Sequence, residues 1–103
     1  MRKLVVLRKW SIIESGSRII LSVSCDEEKA NTNIDGKPFM AMPLKNGKSV
    51  ELEITDEETI VYISSSTMEV DYTIPAGTEN VTLQTKAKYN PMQGNPFVIT
   101  KIW

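Results

Sequence analysis

Apolar and polar residues alternate with a period of two in segment after segment of this chain, which confines it to β-strands that bury one face. Ser49 to Ile54 sets Val50, Leu52 and Ile54 against Glu51 and Glu53. Met68 to Ile74 sets Met68, Val70, Tyr72 and Ile74 against Glu69, Asp71 and Thr73. In Asn80 to Tyr89, Val81, Leu83 and Ala87 alternate with Thr82, Gln84, Lys86 and Lys88, and Ile19, Leu21 and Val23 mark a fourth strand of this kind. Strands that alternate in this way belong to antiparallel sheets with one face on a core and the other in water.

Lys3 to Leu7, Thr59 to Ile63 and Phe97 to Trp103 are apolar on both faces, which predicts positions in the middle of a sandwich or under a covering loop. Their β-branched content disfavours helix. Turn residues fall between these runs. Asn46-Gly47 and Asp35-Gly36 suit two-residue hairpin turns, Pro75-Ala76-Gly77 suits a type I turn, and Asp56 to Glu58 reads as a polar reversal. One helical turn is expected at Asp26 to Ala30. The expected fold is therefore an all-β, antiparallel two-layer β-sandwich of about eight short strands, with a small β-barrel as the alternative. Its core is expected to include Val50, Leu52, Ile54, Val70, Tyr72 and Leu83, with Trp10 and Trp103 as anchors.

The 103 residues fit a single sandwich domain spanning 1–103. The apolar run Leu4 to Leu7 is cut off by Arg8 and Lys9, too short for a signal segment or a membrane span. A cytoplasmic location is expected, and with one cysteine, Cys25, an internal disulfide is excluded. In that setting the sequon Asn80-Val81-Thr82 reads as strand sequence.

The chain contains no histidine, which removes Ser-His-Asp and Cys-His catalysis and the common zinc ligand sets in one step. Glu51/Glu53 and Glu69/Asp71 fall on outward strand faces, where carboxylates are solvated. Cys25 precedes Asp26, Glu27 and Glu28, an electronegative setting that disfavours the thiolate. Asn31 to Gly36 opens like a calcium loop, but Met42 stands where that motif needs a glutamate, so the hairpin reading prevails. No enzyme activity, cofactor or metal is expected.

Charge is unevenly spread about a net of −1. Residues 1–18 hold five basic side chains against Glu14, residues 19–79 hold four lysines against twelve acids, and residues 80–103 hold three lysines and no acid. If the first and last strands share a sheet, Arg2, Arg8, Lys86, Lys88 and Lys101 would collect on one surface and attract an anionic partner. Aromatic stacking platforms are sparse, so there is no strong nucleic-acid signal. The proline- and asparagine-rich segment Tyr89 to Pro96 must be a loop. With Phe97, its residues Tyr89 and Met92 form a candidate apolar contact surface.

Met1 to Lys9 and Leu44 to Ile54 resemble short bacterial β-sandwich proteins and PEGA-like modules, in which a basic opening strand leads to a sandwich with an LKNG-x-x-x-E-x-E-I hairpin. The chain departs from that pattern after Ile54, reading Thr55-Asp56-Glu57-Glu58-Thr59 where the group often has a Gly-Lys-His turn. The resemblance implies an accessory or binding domain without assigned chemistry. The expected function is a non-catalytic binding or assembly module. It would meet a protein partner or a second copy through a strand edge or the 89–96 loop, or an anionic surface through its basic strands.

Overall fold

A computed structural model describes residues 1–10, 18–65, 69–87 and 97–101. Among them lie nine strands: β1 (Arg2–Arg8), β2 (Ile20–Ser24), β3 (Thr32–Ile34), β4 (Lys37–Pro43), β5 (Ser49–Ile54), β6 (Thr59–Ser64), β7 (Glu69–Ile74), β8 (Val81–Ala87) and β9 (Phe97–Lys101). They form a four-stranded sheet, β5-β1-β8-β9, packed on a five-stranded sheet, β3-β4-β2-β6-β7. The fold is the expected all-β, two-layer arrangement. Every pairing is antiparallel except β1 with β8, which is parallel.

The alternation predicts the faces correctly. Val50, Leu52 and Ile54 of β5 point inward while Ser49, Glu51 and Glu53 are exposed, and β7 repeats the pattern from Glu69 to Ile74. The fully buried core joins Leu4 and Val6 of β1 to Leu21 and Val23 of β2, Val61 and Ile63 of β6, and Val81 and Leu83 of β8. Of the expected core, Ile54 and Leu83 are buried, whereas Val50, Leu52, Val70 and Tyr72 are partly buried at its margin. Those four sit on β5 and β7, the end strands of their sheets, so one flank of each side chain lacks a neighbour.

Two doubly apolar segments take their expected interior places: β1 lies between β5 and β8, and β6 between β2 and β7. The third does not, since β9 is the end strand of its sheet among the described residues and approaches β7 of the opposite layer.

The turns also divide. Asp35 (φ 53°) and Gly36 (φ 79°) both adopt left-handed dihedrals and close the β3–β4 hairpin, opposing Ile34 to Lys37. Asn46-Gly47 makes no hairpin, although both its turn chemistry and the family resemblance imply one. Lys48 N–H donates to Lys45 O at 3.0 Å and Gly47 has φ 74°, but this turn carries the chain from β4 in one sheet to β5 in the other. The reversal at Asp56 to Glu58 likewise crosses between sheets, from β5 to β6. At Pro75-Ala76-Gly77 the Gly77 N–H donates across to Asp56 O at 2.8 Å. Asp26 to Ala30 forms a turn instead of a helical one, held by Lys29 N–H donating to Asp26 Oδ1 at 3.2 Å. Trp10 is 67% exposed, not a core anchor, and its side chain lies over Gly47, where a Cβ would come within 3.3 Å of it.

No described helix is long and apolar enough to cross a membrane.

Candidate interaction surface

The basic strands do not present the surface that their charge predicts. Along β1 the inward face reads Arg2, Leu4, Val6, Arg8, so the two arginines terminate the core stripe at opposite ends of the strand and are 5% and 4% exposed. Arg2 Nε donates to Thr55 O at 3.0 Å, and its Nη2 donates to Glu57 O at 3.0 Å and Pro75 O at 2.9 Å. Arg8 Nη1 donates to Leu44 O at 2.8 Å. These guanidiniums satisfy carbonyls of the sheet-crossing segments and are largely withdrawn from solvent. Lys86 is exposed on the outer face of β8, while Lys101 lies beside Arg2 at one end of the molecule, so these two share no face. Tyr89, Met92, Lys88 and Trp103 lie outside the described residues. Phe97 begins β9, opposite Ala87.

Exposed cations gather elsewhere. Lys9, Lys45 and Lys48 are exposed at the Arg8 end of β1, and exposed Arg18 joins Lys45 beside Arg8 around an open concavity. The opposite end carries the turns with Asp26, Glu27 and Glu28 and with Asp56, Glu57 and Glu58, all exposed. Sequence order hides this polarity, because Lys45 and Lys48 sit within the acidic middle of the chain.

The feature best built for contact is the edge of β5. Sheet edges are ordinarily blunted by shortness, proline, lysine, bulges or cover. The β3 edge is three residues long. Beyond it, Asn31 closes the margin of β4: its Nδ2 donates to Ala41 O at 2.9 Å and its Oδ1 accepts from Ala41 N–H at 2.8 Å. β7 and β9 lean towards each other. β5 carries charge, the exposed Glu51 and Glu53, which discourages like-charged strands, but among the described residues none of the other devices. It runs six residues without proline, lysine or bulge, paired one-for-one with β1 from Ile54 opposite Arg2 to Ser49 opposite Leu7. Among the described residues nothing pairs with its other side.

The direction of the β5 backbone groups follows from neighbouring bonds. Arg8 N–H donates to Lys48 O at 2.9 Å, so even-numbered residues of β1 and β5 bond to each other. In agreement, Lys3 N–H and Lys9 N–H point the other way, to Asn80 Oδ1 and Thr85 O on the β8 side at 2.9 Å each. The N–H and C=O groups of Ser49, Glu51 and Glu53 therefore project from the open edge, three donors and three acceptors in register.

Under this edge the sheets leave an apolar cavity of about 90 Å³. Leu52 and Ile54 of β5 form one wall, Val23 of β2 and Met40 of β4 the other, with Ser24, Cys25 and Thr55 at one end and Met1, Asp26, Lys29 and Glu53 also lining it. Burial raises the pKa of the Cys25 thiol above its ordinary value, the Asp26 charge adds to this and Lys29 opposes it. The expected chemical inertness thus has partial burial as its main cause, ahead of the neighbouring acid. At pH 8, alkylation of Cys25 by iodoacetamide should run several-fold slower than that of a cysteine peptide and accelerate as pH rises through the elevated pKa. A rate equal to the peptide's would contradict this. Among the described residues no cluster of three or more His, Cys, Asp or Glu is placed to hold a metal.

Compared with protein-family models, characterised proteins and solved structures, the chain matches none.

Proposed function

We propose that this protein is a non-catalytic binding module that captures an extended segment of another protein along the open edge of β5. The observation that carries the reading is the row of backbone groups at Ser49, Glu51 and Glu53 that pair with nothing among the described residues, on a regular six-residue edge. The absence of histidine and the exposure of Glu51, Glu53, Glu69 and Asp71 support a role without chemistry of its own. Main-chain pairing would give affinity, and side chains alternating above and below the new strand would give selectivity.

Selection of a random ten-residue peptide library against the full chain, followed by residue-resolved amide exchange, tests the reading. Enriched peptides should slow exchange at Ser49, Glu51 and Glu53. Enriched peptides that leave these three amides unprotected would overturn it.

A further inference from the structure

We infer that the segment which docks on β5 alternates basic and apolar residues, the basic ones facing Glu51 and Glu53 and an apolar one entering the cavity beside Leu52. The inference rests on the β5-edge reading and adds the chemistry of the partner. Three features of the edge support it.

The first is a missing strand. Among the described residues one sheet has four strands and the other five, and with β7 and β9 drawn together at one side, β3 has no described counterpart beyond β5 at the other. The cavity shows how the layers align there, since Leu52 and Ile54 of β5 face Met40 of β4 across it. One added strand beside β5 would extend the short sheet over this overhang and close the flank of the cavity.

The second is register. The odd-numbered residues of β5 offer the hydrogen bonds and have outward side chains, so partner residues paired with Glu51 and Glu53 also face outward. The residue between them faces inward, over the cavity wall made by Leu52 and Ile54. A cavity of about 90 Å³ whose walls are Val23, Met40, Leu52 and Ile54, with polar groups at its end and rim, has room for one aliphatic side chain against those walls.

The third is charge. The outward row carries Glu51 and Glu53, and Asp26 stands at the cavity rim. The cations facing the same region are Lys3, 3.4 Å from Glu51, Lys29 at the rim, and the Met1 ammonium, which lines the cavity and is itself 3.6 Å from a further acid, Asp56. Basic partner residues relieve the acidic excess. A second copy of this chain does the opposite: antiparallel β5–β5 pairing centred on Leu52 sets Glu51 of each copy against Glu53 of the other, and like charges directly opposed are destabilising.

The test uses an acetylated, amidated seven-residue peptide alternating lysine with valine, titrated into the full chain with amide exchange and chemical shifts as readouts. The lysine–valine peptide should bind and protect Ser49, Glu51 and Glu53, while glutamate–valine and lysine–serine versions should bind about tenfold more weakly or not at all. The Glu51→Lys/Glu53→Lys double variant should exchange this preference, taking the glutamate–valine peptide over the lysine–valine one. Both substituted side chains are exposed, so the variant's melting temperature checks that the fold is intact. Equal binding of all three peptides with β5 protected would overturn the partner chemistry and leave the edge reading standing. Peptide binding without β5 protection would overturn both, as would protection of β5 by self-association before any peptide is added.

Discussion

Replacing Arg2 by alanine should destabilise the fold by about 3 kcal/mol, lowering the melting temperature by roughly 10–20 °C. One guanidinium bonds the Thr55 and Glu57 carbonyls, which lie where the chain crosses from β5 to β6, and the Pro75 carbonyl, where it returns from β7 towards β8. The same connections are joined directly by the Gly77 to Asp56 hydrogen bond. Hydrogen bonds to a charged group contribute about 1.5–3 kcal/mol each, but three on one side chain do not add independently. Alanine leaves the carbonyls to find water in a site where Arg2 is 5% exposed. Arg2→Lys should recover less than half of the loss, because an ammonium cannot reproduce the planar fork. Urea unfolding of the three proteins checks this, and an alanine variant as stable as the parent would mean that the guanidinium does not tie these segments together.

Leu4→Ala should cost about 3 kcal/mol, whereas Leu52→Ala should cost about 1 kcal/mol. The sequence does not rank them, since it places the run holding Leu4 in the middle of a sandwich or under a covering loop and Leu52, by strict alternation, in the core. In the fold Leu4 is fully buried on β1, with β5 on one side and β8 on the other. Leu52 is directly opposite it on β5 but lies at the sheet margin and already borders a cavity. Thermal melts of both variants check the order; equal losses would mean that the flank beside β5 is covered.

The comparison of these two leucines shows what a period of two conveys. It assigns side chains to faces, and it does so correctly in β5 and β7, because which face is buried depends on local order alone. It says nothing of which strand lies next to which. The parallel β1–β8 pair, the crossing at Lys45 to Lys48 and the marginal place of β5 all depend on contacts between residues far apart in sequence. The Asp35-Gly36 hairpin was legible because its two dihedrals are a property of those residues. The arginines were not. Charge suggests the surface, and only the carbonyls gathered from Thr55, Glu57 and Pro75 make the inward position of Arg2 tolerable. The candidate site was legible in kind, as a strand edge, but locating it required knowing that Asn31 closes the β4 margin and that β5 has no such guard.

Residue-resolved amide exchange within β5 of the free protein tests the open edge most directly. The amides of Val50, Leu52 and Ile54 bond to β1 and should be protected, while those of Ser49, Glu51 and Glu53 should exchange orders of magnitude faster, giving a strict two-residue rhythm along the strand. Slow exchange at all six amides in the absence of any partner would contradict the account, since it would mean that the edge proposed for binding is already paired.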